Sequence, residues 1–282
     1  ARFRDITSGI GFYEVVKDLE ENFEERKELL IENLKKIAGR IFRKENLMLS
    51  YTSAQEGLAV LEKAVPQFAD SLHTGEKESH GQCIIHCKKR NEGFRTSSKV
   101  QYVARTGNFI DGGAEYTGAL QILKVILSYD YLWMNLRVKG GAYGCMSGFK
   151  RNGESYLVSY RDPHLKRTLD VYKGIPDFIR NFQADEREMT KYIIGTISGK
   201  DVPRTPQMKG SVSKTAYFCG VTEEMLQKER DQILNASAED IHALAEIIEA
   251  VLAADQICVV GSESKVAEAS DVLMEVKPLI NC

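Results

Sequence analysis

Across residues 12–38, apolar side chains recur three, four or seven positions apart at Val15, Leu19, Phe23, Leu30, Leu34 and Ile37, with acidic and basic residues between them. That spacing predicts a long amphipathic helix whose stripe needs a partner surface. Residues 47–52 alternate as a strand does, and 56–72 return to helical spacing through Leu58, Leu61, Val65 and Phe68. The polar stretch 73–98 reads as loop with a short strand at 83–87, and 100–105 as a strand.

Residues 117–137 are apolar nearly all round, which predicts a helix buried on most sides. After Gly140-Gly141 come two strand-like runs, 143–149 and 155–160, joined through Asn152-Gly153 as a hairpin. Asp162-Pro163 then looks like a cap and first-turn proline opening a helix through Leu165, Leu169, Tyr172 and Phe178. A helix follows over 185–198, and residues 201–209, with Pro203 and Pro206, predict an extended crossing loop. Thr222 and Ser237 each look like the cap of a further helix, 256–260 like a final strand, and 264–276 like one more helix. Hairpins mixed with helices predict an α+β fold, one mostly antiparallel sheet covered by helices on one face.

With 43% hydrophobic residues in 282, the chain can bury a substantial core. Its 38 Lys and Arg against 40 Asp and Glu are mixed along the sequence, giving no basic face for nucleic acid. Apolar runs such as 247–254 fall well short of the ~20 residues of a membrane span, so neither nucleic acid nor membrane is expected as a partner. The opening Ala1-Arg2-Phe3-Arg4-Asp5 reads as the start of a piece of something longer. Six cysteines without a CxxC pair are too sparse for a disulfide scaffold and point to a reducing intracellular compartment, cytoplasm first and organelle matrix as the alternative. His80, Cys83, His86 and Cys87 form a compact cluster of soft ligands with no second arm, so a loop running into a strand is preferred to a metal site.

No GxSxG elbow, phosphate loop, GxGxxG fingerprint, HExxH or HxxEH motif is present. What stands out is Leu136-Arg137-Val138-Lys139-Gly140-Gly141-Ala142-Tyr143-Gly144, between the most buried helix and the hairpin. Two glycines allow a close backbone approach, while Arg137 and Tyr143 offer a fixed cation and a hydroxyl donor. Such a set could hold a peptide and stabilise an oxyanion. The same residues could equally serve structure, with Gly140-Gly141 capping a helix, Arg137 answering its last carbonyls and Tyr143 filling the core.

The run 137–144, followed across the turn by Leu157-Val158-Ser159-Tyr160-Arg161-Asp162-Pro163, resembles the C-terminal domain of presequence protease and falcilysin, within the pitrilysin and insulinase metallopeptidases. The order of the other elements resembles that family over nearly the whole chain. The resemblance implies residues 1–40 as linker and long helix from a preceding domain, and 41–282 as a zinc-free peptidase-like domain. It also implies a closed chamber around an unfolded peptide, with zinc held by the N-terminal half of the same polypeptide and no cofactor in this chain. Arg137 and Tyr143 match the family's Arg and Tyr that complete the active site from across the chamber, as catalytic residues. Gly140, Gly141 and Ala142 would line the bound substrate. A non-catalytic subunit of the same fold is the second reading, like the partners in mitochondrial processing peptidase; an unrelated α+β interaction module is the third. Retention of both Arg137 and Tyr143 speaks for the first.

Overall fold

A computed structural model describes residues 2–75 and 89–279. The helices in chain order are α1 (Arg2–Ser8), α2 (Ile10–Glu21), α3 (Phe23–Ile41), α4 (Gln55–Asp70), α5 (Ala119–Ile126), α6 (Lys166–Lys173), α7 (Ile175–Arg180), α8 (Glu186–Lys200), α9 (Pro206–Cys219), α10 (Glu223–Leu234), α11 (Ala238–His242), α12 (Leu244–Ala253) and α13 (Glu263–Glu268). The strands are β1 (Glu92–Thr96), β2 (Gln101–Asn108), β3 (Gly144–Phe149), β4 (Glu154–Asp162), β5 (Gln256–Ser262) and β6 (Glu275–Pro278). The chain forms two compact units, one of α1–α4 with α9 and the other of the remaining elements. No helix among the described residues is long and apolar enough to cross a membrane.

In the first unit, the predicted long helix forms as α2 and α3 with a break at Asn22, whose backbone leaves the helical region at φ −120° and ψ 29°. Its apolar stripe stays open: Val15, Phe23, Leu34 and Ile37 each keep at least half of their surface. Residues 47–52 are a correction, because they pair with no strand among the described residues. Alternation alone does not make a strand where no neighbouring strand supplies hydrogen-bond partners. A second correction concerns the crossing loop, which ends at Pro206 where α9 begins. Proline at a helix start loses nothing, since that N–H would be unsatisfied anyway.

The second unit is built on one six-stranded sheet in the order β3-β4-β2-β5-β1-β6. The β3–β4, β4–β2 and β2–β5 pairings are antiparallel, and β5–β1 and β1–β6 are parallel. Alternation puts Val103, Leu157 and Val259 on the covered face, all essentially without exposure. There α6 and α12 lie on β2, α5 on β3, and α13 on β1 and β5. Tyr102 and Met146 are exposed on strands whose covered-face residues are buried. The α+β sheet with one helical layer is therefore as expected.

Three local expectations fail in this unit. The stretch 73–98 contains β1, whose Glu-Gly-Phe-Arg-Thr shows no alternating apolar signal although it sits between two parallel neighbours. The helix expected over 264–276 stops at Glu268, and the chain continues into β6, so β5 is not the last strand. Asp162 ends β4 instead of capping a helix; its carboxylate accepts from the His164 amide at 2.9 Å and the Thr168 hydroxyl at 2.6 Å, and α6 begins at Lys166. The strand expected over 83–87 and the cluster of His80, Cys83, His86 and Cys87 lie outside the described residues.

Candidate functional site

The helix that leads into the glycine pair starts as α5, with Ala119, Leu120, Ile122, Leu123 and Ile126 all buried. Beyond Ile126 it widens into π turns over Leu127–Tyr131 and Trp133–Val138, shown by the Leu132 amide donating to the Leu127 carbonyl and the Lys139 amide to the Met134 carbonyl at 3.0 Å. Each residue inserted in a turn shifts the phase of those that follow, and such turns recur at functional sites. Here Leu132 and Leu136 remain buried while Trp133 keeps 42% of its surface and Arg137 is half-buried.

The helix closes on Gly140-Gly141. The Gly141 amide donates to the Arg137 carbonyl and the Ala142 amide to the Leu136 carbonyl, both at 2.9 Å. Gly141 adopts φ 77°, a conformation that a side chain would strain. The capping role read from the sequence is thus real for these glycines, and Ala142 turns its methyl into the core. Tyr143 then returns to the sheet, its amide donating to the Arg161 carbonyl at 3.2 Å. At Gly144 a Cβ would collide with the ring of Tyr160, its partner across β3 and β4.

Tyr143 does not fill the core. It is 56% exposed, and its hydroxyl makes no hydrogen bond among the described residues. Its ring meets Tyr160 edge-on at 5.5 Å. The Arg137 guanidinium lies 4.4 Å from the Trp133 ring and 5.5 Å from the Tyr143 ring, and Nη1 donates to the Tyr143 carbonyl. Stacking on two aromatic faces fixes the cation while leaving other N–H edges open. Arg161 places a second guanidinium 5.6 Å from the Tyr143 ring.

The structure therefore gathers Arg137, Gly140, Gly141, Ala142 and Tyr143 within one turn, and adds Trp133, Tyr160 and Arg161. Sequence reading assigned no role to those three. Trp133, the chain's single tryptophan four residues before Arg137, was the available signal. The groups gathered here are hydrogen-bond donors, two guanidiniums and a phenol. Burial pushes the neighbouring Cys145 thiol up, against the pull of Arg137, so it is no thiolate nucleophile. Among the described residues no group of three or more His, Cys, Asp or Glu could hold a metal ion.

The family model of the PreP C-terminal domain matches residues 91–264, which span β1 to β5, the hairpin and the aromatic cluster. Protein HypA of Clostridium perfringens is 42% identical over 97% of this chain, and Presequence protease 1, chloroplastic/mitochondrial, of Arabidopsis thaliana is 32% identical over 86%. This chain spans 28% and 23% of their respective lengths. A crystal structure of a protease from Helicobacter pylori has the same fold, with a TM-score of 0.51 at 12% identity over 74% of this chain and 52% of that one. With five of its six strands, the hairpin and the glycine turn inside the matched region, the chain belongs to the PreP C-terminal domain family.

Proposed function

We propose that this chain is the zinc-free C-terminal part of a zinc oligopeptidase that degrades unfolded peptides in a closed chamber. In this reading Arg137 and Tyr143 complete an active site whose metal and water-activating groups belong to the N-terminal half of the same polypeptide. The observation that carries it is the exposed, unpartnered Tyr143 hydroxyl beside a guanidinium fixed between two rings, on a domain of this family. In this reading the chain contributes donors to the hydrolysis, and the metal that activates water is held by the other half.

Arg137 donates to a backbone carbonyl of the bound peptide and so holds the chain in register. Tyr143 donates to the scissile carbonyl oxygen, a bond that strengthens as negative charge builds there. The backbone of Gly140, Gly141 and Ala142 runs alongside the peptide, where the bare glycines and the inward Ala142 methyl allow approach. A setting inside the cell fits the sparse cysteines.

In the full-length protein, Arg137→Ala removes a charge-assisted donor while the glycine cap survives. The apparent KM for an unfolded peptide rises about tenfold, and the melting temperature moves little. Steady-state kinetics alongside thermal unfolding checks this. An unchanged KM with a lowered melting temperature would make Arg137 a structural cap only.

A further inference from the structure

Arg161 sits in the one irregular step of the hairpin sheet. Gln101 pairs with Asp162 but Val103 pairs with Ser159, so β4 carries an extra residue opposite Tyr102. That is a β-bulge, a device that re-aims a side chain and is over-represented beside active sites. Arg161 itself has φ 49°, the left-handed region that costs a residue with a side chain on the order of 1–2 kcal/mol. A glycine would relieve that strain, and an arginine occupies the position.

The bulge turns Arg161 outward beside Tyr143, which is tied to it twice: through the backbone bond at 3.2 Å and through the ring contact at 5.6 Å. Two guanidiniums thus flank one exposed phenol ring. Neither Arg137 nor Arg161 takes part in an ion pair among the described residues. The neighbouring carboxylate, Asp162, is buried and committed to His164 and Thr168. Elsewhere on this unit arginines do find carboxylates, as Arg180 does with Glu249 and Arg230 with Asp201. A half-buried and an exposed cation on one ring, with no counter-ion among the described residues, leave the anion to be supplied from outside.

We propose that Arg161 binds a carboxylate of the peptide substrate beside Tyr143, with the Arg137 charge reinforcing the attraction, making Arg161 a specificity-determining residue. The inference rests on the peptidase reading and adds the chemical class of peptide. The carboxylate has two sources, the peptide's C-terminus and an Asp or Glu side chain.

The test is equilibrium binding of fluorescent peptides to the full-length protein by anisotropy, with EDTA present to keep the peptides intact. One pair of peptides differs as C-terminal acid against amide, the other as internal Glu against Gln. The charged member of one pair binds about tenfold to a hundredfold tighter to the wild type, and which pair shows it identifies the source. Arg161→Gly keeps the backbone conformation, so its melting temperature matches or exceeds wild type while the preference collapses to about one. Arg161→Lys, with a point charge in place of the planar fork, retains part of it. No preference in the wild type, or one that survives Arg161→Gly, overturns the proposal. Without EDTA, peptide cleavage lacking the preference contradicts the carboxylate site alone. The preference without cleavage contradicts the peptidase reading alone.

Discussion

Tyr143→Phe in the full-length protein lowers turnover of an unfolded peptide on the order of a hundredfold to a thousandfold, with little change in KM or melting temperature. The substitution removes one oxygen from a ring that is already 56% exposed and meets Tyr160 edge-on. The packing partners keep every carbon they touch, so the folded state loses little. In the proposed role, what is lost is a donor to an oxygen that becomes fully charged only in the transition state, and removal of one such donor has effects of that size. Because the bond matters more in the transition state than in the ground state, kcat falls and KM does not. Turnover at wild-type level would make Tyr143 a surface aromatic with no chemical role.

The largest stability effect belongs to Glu229, at the opposite end of the hairpin from Tyr143. It is 4% exposed on α10 and accepts from Arg151 in the hairpin turn and from Lys200 at the end of α8. Burial alone pushes the carboxyl upward, but the hydrogen bonds and charges of Lys200 and Arg151 hold it below the usual carboxylate range. Glu229→Ala leaves two partly exposed cations without their shared carboxylate and lowers stability by about 1–3 kcal/mol. Changing all three residues to Met restores most of that loss, since removing the cations together with the buried carboxylate leaves no charge unpaired. A folded-state pKa below the unfolded one also fixes the pH dependence. Glu229 stabilises fully above the ordinary carboxylate range, and its contribution fades as acid lowers the pH through the depressed folded value. Denaturant titrations at neutral and acid pH test both statements. A loss below ~1 kcal/mol for Glu229→Ala would show that the cluster is surface-like.

How much of this was legible in the sequence differs by element. The β3–β4 hairpin was visible because Asn152-Gly153 and two alternating runs act locally, and the Ser237 cap because its partner Asp240 stands three residues away. The widened turns before Arg137 were not, since an apolar stretch without a polar face carries no phase from which an inserted residue can be read. Strand β1 was hidden because its order comes from β5 and β6, distant in sequence. At the site, Arg137 and Tyr143 could be singled out by their place beside the glycine pair. The exposure of Tyr143, which separates a donor from a core residue, is a property of the fold. Arg161 was printed in the same motif, yet neither its bulge nor its left-handed backbone has a signature in an arginine flanked by Tyr160 and Asp162.

The central claim is that this domain supplies donors to a hydrolytic centre located elsewhere in the polypeptide. Cleavage of one unfolded peptide by the full-length protein and by this chain alone, at equal concentrations, tests it most directly. The proposal predicts turnover by the full-length protein and none by the chain, because it assigns the metal and the water-activating groups to the N-terminal half. Cleavage by the purified chain at a comparable rate would contradict it.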